Sequence, residues 1–231
     1  KNRKSKKSET KLIIVLDTLG CDYSFLGDLF DETNKPEIIV INPLRAGGRP
    51  KDLRNETYDR ILFGVFGGGA DISPRNYGQE VHSSVNYNSD LDYYEIQWYD
   101  FFSSRNIPMV GICRGSQLLW ALGGGKLFQD VNNHESDHTV FDPNMGKFYK
   151  VNSMHHQMVD SQFPPKGDIE ILSIAAPKVS DSMVRKLANS WEISGTSVEV
   201  ESWCIRSKNN KILGVQFHPE MGGKKDAFVN A

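Results

Sequence analysis

Past its first ten residues the chain alternates short apolar runs with stretches whose apolar residues recur at helical spacing. Leu12-Ile13-Ile14-Val15-Leu16 and Ile38-Ile39-Val40-Ile41 contain no polar position, which predicts strands buried on both faces, as in parallel sheets. Between them, Phe25, Leu26, Leu29 and Phe30 predict a short amphipathic helix. Ile61 to Phe66 reads as a third strand running straight into glycines. Leu91, Tyr94, Trp98, Phe101 and Phe102 predict a helix over 90–105 that packs on the sheet, its aromatic residues serving as core. A fourth strand is expected at 107–112, followed by a helix. Toward the C-terminus Val198 to Ile205 alternates, Lys208-Asn209-Asn210-Lys211 reads as a turn, and Ile212 to Phe217 returns as a second strand. With no internal repeat and no clear linker, the expectation is an α/β fold. Its central sheet is mostly parallel and flanked by helices, with a small antiparallel C-terminal part, in one domain over 11–231.

Two short segments carry candidate chemistry. Gly111-Ile112-Cys113-Arg114-Gly115 places a cysteine at a sharp strand-to-helix corner, where flanking glycines permit the bend and the helix N-terminus favours a thiolate. Read alone, Cys113 is as readily a small buried hydrophobe. The second segment, Leu213-Gly214-Val215-Gln216-Phe217-His218-Pro219-Glu220, delivers a histidine and, two residues on, a carboxylate. If the strand continues through it, Glu220 and His218 point to one side, with Pro219 making the geometry irregular. Cysteine, base and orienting acid then form a nucleophile triad of Cys113, His218 and Glu220. An isolated His-Pro-Glu is more often a surface turn; the cysteine corner is what gives it weight.

These two segments resemble those of class I glutamine amidotransferases, and within them the branch of γ-glutamyl hydrolases and γ-glutamyl-GABA hydrolase. Phe66 to Gly78 is similar to that branch's Pro-Gly-Gly-x-Asp-Ile-x-Pro-x-x-Tyr loop, Gly123 to Asp130 to its Gly-Gly-x-Leu-x-Gln-Asp stretch, and Val151 to Gln157 to its Val-Asn-Ser-x-His-His-Gln motif. The matches run in family order from about Leu12 to Glu220. The resemblance implies a flavodoxin-like amidotransferase fold and attack of Cys113 on a γ-glutamyl amide through a glutamyl thioester. The oxyanion is expected to be held by the backbone N–H groups of Arg114 and of the glycine loop, at Gly68. Gly69, Gln117 and His155 are expected to hold substrate, although Gln117 reads equally as a polar group satisfied in the core. Asp71 and Tyr77 match the loop, where turn chemistry gives them a structural role. Ser116 and Gly125 depart from the family, which usually has a larger apolar residue and a threonine there; both are expected to border the site.

Three functions stay open on this reading. One is a glutaminase releasing ammonia for a synthetase or amidoligase partner in trans. Another is a free-standing hydrolase of γ-glutamyl amines or peptides, and the last a non-catalytic regulatory subunit, against which the intact trio argues. The 27 basic and 29 acidic side chains of this 231-residue chain leave a net charge of −2, which points to neither nucleic acid nor a membrane surface. No apolar run approaches the roughly 20 residues that span a bilayer. Five of the first seven residues are basic, and 1–10 reads as a solvated disordered tail. Cys21, Cys113 and Cys204 make no disulfide framework, so a reduced cytoplasmic setting is expected. No cofactor is expected. His155-His156 lacks further ligands at recognisable spacing, so no metal is expected either. His134 and His138, with Glu135 and Asp137, read as a solvated loop or pocket rim.

Overall fold

A computed structural model describes residues 10–194, 197–207 and 211–221. The basic tail and most of the turn expected at 208–211 lie outside the described residues. The first half supplies β1 (Leu12–Leu16), β2 (Glu37–Ile41), β3 (Ile61–Phe66), helix α1 (Ser89–Ser103), β4 (Met109–Ile112) and helix α2 (Arg114–Leu122). Short strands follow: β5 (Lys126–Phe128), β6 (Asp130–Val131), β7 (His138–Asp142), β8 (Lys147–Val151) and β9 (Met158–Asp160). The chain closes with β10 (Ile169–Ala175), β11 (Met183–Lys186), β12 (Trp191–Ser194), β13 (Val200–Arg206) and β14 (Lys211–Val215).

Among the described residues, nine strands form one sheet in the order β2-β1-β3-β4-β14-β13-β10-β7-β8. From β2 to β14 every pairing is parallel, and from β14 to β8 every pairing is antiparallel. β1, without a polar residue, is buried along its whole length. The apolar run 38–41 of β2 is not: β2 closes one edge of the sheet, and Val40 is 51% exposed there. An edge strand has a neighbour on one side only, which a run of apolar residues does not reveal. The antiparallel extension is larger than the C-terminal pair expected, because β7, β8 and β10 add to it. These partly exposed strands carry mixed polar residues and give no continuous apolar run.

The helix expected at 90–105 is α1. Its start is set by Asn88, whose side chain accepts from the N–H groups of Asp90 and Leu91 at 3.0 and 3.1 Å. Leu91, Trp98, Phe101 and Phe102 are buried, as the spacing requires. The expected helix at 25–30 is instead a single 3-10 segment, Ser24–Leu29, with Phe25 and Leu26 buried and Leu29 39% exposed. Six residues are too few to stabilise an α-helix in isolation, and only one apolar pair finds cover.

One core layer lies between the sheet and both α-helices, around Trp98, Phe102, Trp120 and Trp203. The other covers the opposite face, around Ile13, Tyr23, Phe25, Ile112 and Phe217. Ser116 and Gly125 belong to the first layer. Trp203 Nε1 donates to Ser116 Oγ at 2.9 Å, and a β-carbon at Gly125 would stand 2.4 Å from the Trp120 ring. The two indoles meet edge to face at 5.0 Å. The small residues at 116 and 125 thus make room for two tryptophans. Among the described residues no helix is long and apolar enough to cross a membrane.

Candidate active site

Cys113 sits between β4 and α2 with φ +50° and ψ −109°, a conformation that costs a non-glycine residue about 1–3 kcal/mol. The corner is tight because α2 starts directly against the end of β3. A β-carbon on Gly115 would lie 2.0 Å from the Phe66 carbonyl oxygen, and Gly115 N donates to Gly67 O at 3.1 Å. Cys113 N donates to Val215 O at 2.8 Å, which ties the corner to the neighbouring strand β14.

Past β14 the chain turns to present His218. Its Nδ1 is 2.7 Å from Glu220 Oε1. The strand expected to run through Glu220 ends at Val215, and Pro219–Met221 is a 3-10 turn that folds the carboxylate back onto the imidazole. Proline cannot donate to a sheet ladder, so a turn is what this segment adopts. Asn152 brackets the same histidine: His218 N donates to its Oδ1, and its Nδ2 donates to His218 O, both at 2.9 Å. His218 Nε2 is buried without a hydrogen-bond partner. Burial alone would lower the His218 pKa, but the neighbouring Cys113 sulfur and the Glu220 carboxylate together raise it to about 10.

The glycine loop after β3 passes over both groups. At Gly68 a β-carbon would stand 3.0 Å from His218 Cε1, so the loop passes close against the imidazole ring. Gly69 lies over the stem of Arg114. The Arg114 guanidinium itself is buried and paired with Asp92 and Glu95 of α1.

Gln117 is fully enclosed: its Nε2 donates to Gln157 O at 2.7 Å and to Gln216 Oε1 at 3.2 Å, while Gln216 Nε2 approaches Cys113 Sγ at 3.6 Å. His155 donates through Nδ1 to Gln157 O at 2.9 Å and leaves Nε2 buried and unpartnered. Burial, with repulsion from His134, pushes its pKa well below the usual imidazole value, so His155 is neutral. Both polar atoms of the Gln157 side chain are likewise buried without partners. Unpartnered polar atoms at this depth are costly in an empty site and are available to a bound ligand. A cleft of about 590 Å³ opens on the far side of the loop, lined by Asp17, Thr18, Leu19, Asn42 and Arg45 among others.

His156 faces away from this group. Its Nε2 meets Asp71 Oδ2 at 2.9 Å and its Nδ1 meets Asp130 Oδ1 at 3.2 Å, so it ties the glycine loop to β6. The hydrogen bond to Asp71 is the largest influence raising its pKa to about 9. Because the folded value lies above the ordinary 6.5, this contact stabilises the fold fully below about pH 6.5 and is lost as pH rises through about 9. Asp71→Asn is expected to bring the His156 pKa down toward 6.5, as read by an NMR titration of its ring protons.

His134 does not lie on a solvated rim. It is completely buried, stacked on His155 at 4.6 Å and set 3.6 Å from Glu199, while Glu135 stays exposed. The hydrophilic run 132–138 hides this, because its one inward residue is polar. His134, His138 and Glu201 bring potential ligand atoms within 4.8 Å of one another. Two of these atoms, His138 Nε2 and Glu201 Oε1, hydrogen-bond to each other at 2.9 Å.

The structure thus gathers Cys113, His218, Glu220, Gly68, Arg114, Gly69, Gln117 and His155 around one corner. Sequence reasoning passed over Asn152, Gln216, Asp92 and Glu95. For the last two a signal existed: two carboxylates fall between Leu91 and Trp98 on the face of α1 that is otherwise apolar, and a buried charge requires a partner.

The family model of Peptidase C26 matches residues 48–220. A candidate glutamine amidotransferase of Schizosaccharomyces pombe is 26% identical over 211 residues, covering 87% of this chain and 80% of that protein. Anthranilate synthase component 2 of Leptospira biflexa is 22% identical over 222 residues, covering 90% of this chain and 92% of its own. The crystal structure of a glutamine amidotransferase of Thermotoga maritima superimposes with a TM-score of 0.58 at 18% identity, over 94% of this chain and 78% of the other. At that identity the likeness establishes the α/β fold.

Proposed function

The chain belongs to the Peptidase C26 family, and from that premise we propose that it hydrolyses the γ-glutamyl amide of glutamine through Cys113, His218 and Glu220. The observation that carries the reading is the strained Cys113 corner set beside an imidazole already held by a buried carboxylate at 2.7 Å. The Cys113 sulfur attacks the amide carbon, a carbon–sulfur bond forms, and the carbonyl electron pair moves onto oxygen. That oxyanion is held by the N–H groups of Gly68 and Arg114. As the intermediate collapses, the carbon–nitrogen bond breaks and His218 gives its proton to the departing nitrogen, which leaves as ammonia. Once the sulfur is acylated, the influence that does most to raise the His218 pKa is gone. The imidazole then serves as base toward water, which attacks the thioester, releases glutamate and restores the thiol. Glu220 keeps the tautomer with Nε2 facing the reaction. Gly69, Gln117 and His155, with the unpartnered Gln157 amide, line the glutamyl site.

The released ammonia is proposed to serve a synthetase or ligase partner in trans, a reading supported by likeness to a component of anthranilate synthase. A second reading is a free-standing γ-glutamyl hydrolase of amines or peptides. It is supported by the resemblance of segments 66–78 and 151–157 to the γ-glutamyl hydrolase branch. The experiment measures ammonia release from glutamine beside hydrolysis of a γ-glutamyl amine. Glutaminase activity that rises with an added synthetase supports the first reading. Fast cleavage of the amine with little glutaminase activity replaces it with the second. Hydrolysis of neither substrate rejects both.

A further inference from the structure

One buried charged group has no part in the chemistry above. Arg114 lends its backbone N–H to the oxyanion, yet its side chain runs beneath the glycine loop and is 1% exposed. Its Nη2 donates to Asp92 Oδ1 at 2.5 Å and its Nη1 donates to Glu95 Oε2. Asp92 has a second task. Its Oδ2 accepts from Ser73 N at 2.9 Å and from Asn76 Nδ2 at 2.8 Å, on the returning limb of the loop that carries Gly68. The top of that loop rests on the arginine stem, where a β-carbon at Gly69 would stand 3.2 Å from Arg114 Cδ.

The two expected oxyanion donors therefore come from segments far apart in the chain, and their spacing has no covalent guarantee. Hydrogen bonds weaken steeply with misalignment, so donor spacing bears directly on how well an oxyanion is held. We propose that the Arg114 side chain is a positioning residue for the oxyanion site: held to α1 by Glu95, it fixes the glycine loop against the start of α2 through Asp92. This inference rests on the hydrolase reading. A guanidinium suits the task because its planar fork reaches two carboxylates at once, which an ammonium on a flexible stem does not. Stability alone is a poor reason for the arrangement, since apolar residues fill such a volume as well or better than a buried ion pair. The carboxylate oxygen spent on Ser73 and Asn76 is what couples the charge to the loop.

The test uses Arg114→Lys and Asp92→Asn in the full chain, with glutamine and γ-glutamyl-p-nitroanilide as substrates and iodoacetamide alkylation of Cys113 as a second readout. Alkylation needs the reactive sulfur but forms no oxyanion. In both variants kcat is expected to fall by about 10- to 100-fold, the scale of a small misplacement of reacting groups, with KM within about threefold. The alkylation rate is expected to stay within about twofold and the far-UV circular dichroism to be unchanged. A kcat within about twofold of the original chain in either variant overturns the inference. So does a loss of alkylation in step with kcat, which marks collapse of the whole corner. If Cys113→Ala stays active, or the original chain hydrolyses neither substrate, the hydrolase reading itself fails and this inference falls with it.

Discussion

Replacing Cys113 by alanine is expected to lower glutamine hydrolysis by more than about a thousandfold while leaving the fold intact. Without the sulfur no thioester forms, and positioned groups around an absent nucleophile give only a small residual rate. The fold survives because alanine keeps the β-carbon, and the Cys113 N–H still donates to Val215. Glycine at the same position separates chemistry from strain. At φ +50° a side chain is disfavoured, so Cys113→Gly is expected to be more stable than Cys113→Ala by about 1 kcal/mol, although equally inactive. Denaturant midpoints of the two variants read that difference. A corner whose residue resists its own conformation, and is stabler without it, is one held for its reactivity. Equal midpoints would mean that the strain is not real.

Gly115→Ala is expected to do damage of another kind. The added carbon meets the Phe66 carbonyl oxygen at 2.0 Å, and neither partner is a side chain that can swing away. The start of α2 must lift from the end of β3, breaking the bond from Gly115 N to Gly67 O. Overpacking against rigid backbone costs upward of about 3 kcal/mol, at or beyond the top of the usual range. Unlike Cys113→Ala, this variant is expected to lose stability and activity together. A urea midpoint close to that of the original chain would contradict the close approach of helix and strand.

Much of this could be read in the chain itself. β1, β3 and α1 follow from uninterrupted apolar runs or helical spacing, because each buries a full face. The corner and the His-Pro-Glu segment stood out because few arrangements need a cysteine between glycines after a buried strand. What stayed hidden has a common physical cause. Whether β2 is central or at an edge depends on neighbours, and the same Ile-Ile-Val-Ile serves either place. The inward turn of His134 is set by Glu199 and Glu201, which are distant in sequence. Glu220 reaches His218 through a turn where alternation would have used a strand, and both routes bring i and i+2 together. The peptide N–H of Arg114 is legible from its place after the cysteine, whereas the use of its guanidinium depends on carboxylates one helix away.

The pairing of β4 with β14 has a consequence for the lifetime of the site. Gly111 lies opposite Gly214 and Ile112 opposite Val215, so the cysteine and the histidine leave from adjacent strands in the middle of the nine-stranded sheet. No local fluctuation separates such strands, since their amides are released to solvent only when the sheet comes apart as a whole. The glycine loop and the 152–157 segment lie outside this ladder and are held by side chains, Asp92 holding the returning limb of the loop and Asn152 holding His218. The cysteine and the histidine thereby take the persistence of their mutual spacing from the central sheet itself.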